Sequence, residues 1–286
     1  MKRILVILTC LAALMLFHFQ PLLSEEQIVP DWVKRINFSA EWETGRHPIF
    51  YFETVQPLYQ SEDKTRTFFY QPRVSISAGD YTYNFGLGYR RLPSEDFLWG
   101  INLFGDYEDL HEHARIGLGY EVLTQRLEAR LNSYFGITTK RVVEEDDSAS
   151  IFESVADGFD FELGTPLPYL PWLKFYTSGF WYDFKESDNK AGWKSRLEAK
   201  LSETVILEFY TWDDNKGAQE FGGKAECRVA FDNFSDFRKI FKLADEPFPK
   251  KDLRKAMLIP VERNFDIVVE KWSEGADFIV AIGRSN

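Results

Sequence analysis

Side chains with the chemistry for catalysis or metal binding are few and scattered. Of the 4 histidines, His18 lies in an apolar amino-terminal run, which leaves His47, His111 and His113. None sits in a recognisable motif with a serine or cysteine, so no nucleophile–base–carboxylate set is legible and the chain is not read as an enzyme. His111 and His113 flank Glu112 and carry zinc-ligand chemistry, but no further ligands follow at metal-site spacing; they are read as a solvated loop without metal. The run Glu144, Glu145, Asp146, Asp147 offers carboxylates for calcium, yet it lacks the spaced Asp/Asn and Gly of a calcium loop and reads as a disordered surface loop. Cys227 alternates with Lys224, Glu226 and Arg228 onto an apolar face, where it acts as a small hydrophobe. No cofactor is implied.

The remaining charges are ordered by position along strands. Beyond residue 30 the dominant period is 2, with apolar or aromatic residues alternating with polar ones and turn clusters between the runs. One face carries Arg73, Arg90, Arg115, Glu121, Asp160, Glu162 and Glu208. The same face carries Glu128 and Arg130 over residues 126–135, Arg196 and Glu198 over 191–201, and Glu226 and Arg228 near the end of the pattern. The opposite face is greasy, as in Leu127, Ala129, Leu131 and Phe135. Twelve strands follow, at 33–43, 48–58, 65–77, 81–91, 97–108, 113–123, 126–138, 157–165, 172–184, 191–202, 204–213 and 220–231. Most are about ten residues long and their number is even, which suits a bacterial outer-membrane barrel. Charges of both signs confined in its lumen should pair with one another.

The ends and the balance of charge agree with export. Met1, Lys2 and Arg3 precede an apolar run from Ile4 to Phe19, too short to span a bilayer and laid out as a secretory signal over 1–24. Residues 25–32 form a short periplasmic lead, and 33–231 the barrel. With 34 basic against 45 acidic residues and a net charge of -11, a nucleic-acid backbone would be repelled. Two cysteines, one of them in the leader, leave no disulfide framework. Counting from a periplasmic start puts the short turns at 123–125 and 202–203 in the periplasm and the long connection 140–156 at the cell surface.

Several stretches, in order, resemble the β-domain of the inverse autotransporters, the intimin and invasin family: FFYQPRVS, FGLGYRRL, GINLFGDYED, RIGLGYEV, LEARLNSYFG, GFDFELGTPLPYLPWLKFYTSGFWYDF and PVERNFDIVVE. The resemblance covers about residues 36–271. It implies an all-β, twelve-stranded antiparallel transmembrane β-barrel with a short helix and an extended linker after the last strand. The linker would pass back through the lumen, with Pro260, Glu262, Arg263 and Asn264 as its core. Phe234–Leu243 has the spacing of one helix face and is expected to plug the pore, and 257–270 reads as extended. Residues 232–286 thus make a luminal plug with a short tail, too short for an adhesive domain of about 100 residues. By analogy with the family, partners are outer-membrane lipid and the secretion and barrel-assembly machinery, while any surface or host ligand is unspecified. Display of the carboxy-terminal segment, in support of adhesion, is the leading expectation. A porin-like channel and a protein that binds through loop 140–156 are the alternatives.

Overall fold

A computed structural model describes residues 30–145, 149–202, 204–228, 243–275 and 278–281. The expected signal segment, most of the lead and the expected helix at 234–243, save Leu243, lie outside these residues. After a single 3-10 turn, Val33–Arg35, the chain forms β1 (Ile36–Glu43), β2 (Ile49–Thr54), β3 (Gln56–Gln60), β4 (Arg66–Ser77), β5 (Asp80–Ser94), β6 (Phe97–Glu108), β7 (His113–Thr124) and β8 (Glu128–Gly136). A hairpin, β9 (Arg141–Glu145) and β10 (Ala149–Val155), precedes β11 (Asp157–Leu167), β12 (Leu170–Asp183), β13 (Lys190–Lys200), β14 (Val205–Asp214) and β15 (Glu220–Arg228). Two further strands, β16 (Val269–Gly275) and β17 (Phe278–Ala281), follow a 3-10 turn at Leu253–Ala256.

Consecutive strands pair antiparallel from β4 through β8 and from β11 through β15, and β8 pairs β11. The sheet closes because β1 pairs both β15 and β2, and β2 pairs β4. Since β2 and β3 are one strand interrupted at Val55, the closed sheet holds twelve strands, all antiparallel. The interruption has a local cause. Val55 and Gln56 both turn inward, so alternation skips a residue, and Pro57 lacks the N–H that would hold register with β4, which shifts there.

The two faces are sorted opposite to those of a soluble barrel. Asn84, Arg90, Asp106, Arg115, Glu121, Glu128, Arg130, Arg196 and Glu208 are buried inside, whereas Phe52, Phe85, Ile101, Leu118, Leu131, Phe161 and Phe209 stand exposed outside. Apolar surface continuous around a barrel and rimmed by turns is stable only against lipid. Cys227, exposed and outward, belongs to that face.

A correction concerns 140–156. Rather than a disordered loop, its described residues form a hairpin that joins a second sheet of order β17-β16-β10-β9. Val142, Ile151 and Phe152 have the β-branched and aromatic character strands favour. The added strand β16, registered Phe152↔Trp272 and Glu153↔Lys271, satisfies one edge of the hairpin.

Candidate functional site

The lumen is the site, and residues 244–270 run through it from one mouth to the other. At the mouth of the even-numbered connections, Ala244 N donates to Tyr169 O and Tyr169 N to Pro247 O, and Lys251 N donates to Gln125 Oε1 at 2.8 Å. There Asp252 caps the 3-10 turn through Arg254 N. That turn buries Leu253 and Met257 against Leu92, Leu98 and Leu123. Further in, Val261 packs on Val55, Phe69 and Phe104, and its N–H donates to Gln71 Oε1 at 2.9 Å. At the opposite mouth Asp266 pairs with Arg46 of the β1–β2 turn at 3.0 Å. There the buried carboxylate of Glu270 accepts from Lys185 N, Glu186 N and Ser187 Oγ.

Three inward groups from β5, β6 and β7 grip the segment's backbone and its one inserted guanidinium. Arg90 is locked on Glu121, Nε to Oε1 at 2.6 Å, and its Nη1 donates to the carbonyls of Ala256 and Ile259 at 3.1 and 2.6 Å. Arg115 is held by Asp106 at 2.8 Å and donates to Asn264 O and Asp266 O, both at 2.9 Å. The same Asp106 carboxylate receives Arg263 Nη2 at 2.8 Å, so one carboxylate joins wall and segment. Charge-assisted bonds to backbone carbonyls fix position without demanding a side chain in return. Tyr134 Oη accepts from Asn264 N, and Asn264 Nδ2 donates to Tyr182 Oη.

Glycine creates the space these contacts need. A Cβ at Gly117 would collide with the Arg263 guanidinium, and at Gly86 and Gly88 with the rings of Phe104 and Phe69. Gly117 thus supplies the floor under the segment, while Gly86 and Gly88 seat the Phe104 and Phe69 rings on which Val261 packs.

Elsewhere around the lumen the wall is charged, and most of its charges pair with one another. Glu162 takes Arg130 at 2.7 Å and Arg196 at 2.9 Å. Glu198 and Glu208 lie opposite each other in the β13–β14 ladder, where like charges repel; Arg196 Nη1, 3.3 Å from each, bridges them. Lys224 also pairs with Glu208. Glu128 holds Arg130 and Lys174, both at 2.9 Å, and meets Lys251 of the segment at 3.7 Å. Asp160 accepts from Asn132 and Tyr134, Arg73 lies 3.9 Å from Glu53 and over the Phe265 ring, and Arg228 pairs with Glu226 near the strand end. Of the linker residues, Glu262 faces the cations of Lys224, Arg196, Arg130 and Arg73, while Pro260 lines the gap between segment and wall. That gap is a cavity of about 270 Å³. Asp106, Glu53, Gln71 and Lys174 were not singled out by sequence; each follows the inward parity of its strand.

The histidine pair is a second correction. His113 is buried and its Nε2 lies 2.9 Å from Glu153 of β10, with His111 Nδ1 3.0 Å from the same carboxylate oxygen. Burial pushes Glu153 up, yet the hydrogen bond from His113 and attraction to His111 and Lys271 hold it below the usual carboxylate range. The partner comes from 40 residues away, so no local motif announces it.

Comparison with known proteins gives the following. Residues 24–195 match the family model described as inverse autotransporter, beta-domain. The chain is 30 % identical over 229 residues to the inverse autotransporter adhesin YeeJ of Escherichia coli K12, covering 77 % of this chain and 9 % of that one. It is 28 % identical over 121 residues to a putative attaching and effacing protein homolog of the same organism, 42 % of this chain and 40 % of that one. The chain thus spans well under half the length of these relatives. A solved structure from a study of in-meso crystallization of membrane proteins shares the fold at TM-score 0.68 and 17 % identity, over 83 % of this chain and 99 % of that one.

Proposed function

Because the chain belongs to the inverse autotransporter β-domain family and so lies in the bacterial outer membrane, we propose that its barrel is a translocator that displays its own carboxy-terminal segment at the cell surface. The observation that carries this reading is the path of residues 244–270, tied to one mouth at Tyr169 and Gln125, to the wall at Gln71, Asp106 and Arg115, and to the other mouth at Arg46. A channel for solutes has no use for a chain docked along its bore. The work is transport and display, not bond chemistry: the luminal carboxylates are engaged by arginine, lysine, tyrosine and amide donors rather than poised beside a nucleophile. Display in support of adhesion fits the name of the YeeJ relative. Secretion and barrel-assembly machinery serve as transient partners by family analogy.

A tag following residue 286 tests the proposal. On intact cells it should be cut by external protease, and cells opened to the periplasm should show no additional cutting. Protection on intact cells with cutting only after the periplasm is exposed would overturn display. The cavity of about 270 Å³ beside the segment favours one second reading, a narrow charged pore. On that reading the full chain conducts small ions in a planar bilayer and deletion of 243–275 changes conductance little, whereas a docked linker predicts a large increase.

A further inference from the structure

The mouth through which the segment leaves carries four side chains of metal-ligand type from three places in the chain. Glu108 ends β6 and His113 begins β7, directly opposite in the ladder. His111 occupies the connecting turn, and Glu153 comes from β10 of the hairpin. One Glu153 oxygen, Oε2, lies 3.0 Å from His111 Nδ1 and 2.9 Å from His113 Nε2. Ligand atoms of Glu108, His111 and His113 lie within 4.8 Å of one another. Around a tetrahedral ion with bonds of about 2.0–2.1 Å, neighbouring donors stand about 3.3 Å apart, so each of the two Glu153–imidazole spacings needs to open only by a few tenths of an ångström. The other Glu153 oxygen is 3.3 Å from Lys271 Nζ of β16, which orients the carboxylate from behind. His113 Nδ1 is buried and meets no hydrogen-bond partner among the described residues.

We propose that Glu108, His111, His113 and Glu153 form a site for a single borderline divalent cation, zinc foremost, that ties the hairpin to the barrel rim. Two imidazoles and carboxylates suit zinc, nickel or copper, whereas magnesium and calcium select all-oxygen sites. The access route is open on the His111 side, which is 29 % exposed, while His113 at 3 % supplies the dry wall. Bound there, the ion replaces the His113–Glu153 hydrogen bond and the His111–Glu153 contact by coordination and joins the β6–β7 turn to β10. Because β10 carries β16, the ion also fastens the strand that the segment becomes on leaving the lumen. The binding claim stands on the geometry of the rim; only this fastening of an exit strand rests on the display reading.

The test is calorimetric titration of the full chain, refolded in detergent without a histidine tag, with zinc chloride and separately with magnesium chloride. Zinc should bind at one site per chain with a dissociation constant on the order of micromolar or tighter, and magnesium should give no heat at the same concentrations. His111→Ala lies in a turn and Glu153→Gln keeps the shape of its side chain, so both should retain heat-modifiable migration. Each should weaken zinc by about tenfold or more. Absence of zinc heat from the folded wild type, or zinc binding undiminished in the double variant, would overturn the site. Calorimetry does not depend on export, so failure here leaves the surface-tag result standing, and the converse holds too.

Discussion

The two walls of the lumen share one alternation and are put to different ends. On β4–β8 the inward positions include Gly86, Gly88, Gly100, Gly117 and Gly119 beside Arg90, Asp106 and Arg115, and the carboxy-terminal segment lies in the trough they leave. On β11–β15 inward glycines occur too, Gly158, Gly164, Gly192 and Gly222, but Tyr182, Tyr176, Phe180 and Tyr210 of the same wall cover them, and Arg196, Glu198, Glu208 and Lys224 pair with one another beside a cavity. Arg90 and Arg115 on the first wall reach backbone carbonyls of the segment, whereas Arg196 and Lys224 on the second pair with carboxylates of their own wall and meet the segment through the charge of Glu262. Net charge on a face thus says little about its use; at Gly117 the missing side chain is what lets the segment's Arg263 come close.

The sharpest way to break this contrast is to remove one arginine from each wall. Arg115→Ala deletes the donors to Asn264 O and Asp266 O and leaves Asp106 with Arg263 as its one cation, beside the amide of Asn84. Removing one partner of a buried pair costs about 3–5 kcal/mol. We expect the segment to undock, read as a rise in single-channel conductance and as trypsin cleavage near Arg254 and Lys255. Arg196→Ala removes one of four cations around Glu262 but no donor to the segment's backbone, so it should lower the unboiled-to-boiled transition temperature of the barrel and raise conductance and cleavage much less than Arg115→Ala. Equal conductance in both variants would abolish the distinction between the walls.

How much of this could be read beforehand follows from what period 2 encodes. Every barrel strand was legible because each buries one face and shows lipid the other; parity put Arg130 and Glu208 on the charged face, and the export signal with the strand length turned that face inward. What parity cannot encode is contact between positions far apart in sequence. The break at Val55 depends on two consecutive inward residues, and only Pro57 hinted at it. The hairpin at 141–155 owes its edge pairing to β16, more than 110 residues later. His113 owes its burial to Glu153. The glycines of GLGY were noticed as a motif, but their purpose emerges only with Arg263 and Phe104 set above them.

A smaller effect sharpens the same contrast by volume instead of charge. Gly117→Ala puts a methyl group where the Arg263 guanidinium sits, and overpacking of this kind costs about 1–3 kcal/mol. The barrel itself should fold, since alanine is tolerated in a strand, but the segment should dock less tightly, giving conductance between wild type and Arg115→Ala. Gly45→Ala, in an open turn with nothing near its side-chain position but a φ of +76, should leave the conductance unchanged while straining the backbone. If Gly117→Ala also left conductance unchanged, the glycine floor would not be what admits the segment.

The smallest effect lies outside both walls and serves as their control. In the turn between β3 and β4, Asp63 accepts from Ser61 Oγ, Thr65 Oγ1 and Thr65 N. These hydrogen bonds, Ser61's foremost, hold it down to about 2 from an ordinary 3.8. A carboxylate whose folded pKa lies below its unfolded one adds stability that is present in full above the unfolded value and is lost as pH falls through the folded value. The contribution should therefore be whole at pH 7, begin to fade below about pH 4 and be gone below about pH 2. Asp63→Asn should unfold slightly earlier than wild type in urea at pH 7 and indistinguishably from it near pH 2. Because the turn touches neither wall's arginines, segment docking should not change at either pH; a rise in conductance with this variant would mean that the rim, rather than the Arg90 and Arg115 wall, governs how the segment is held.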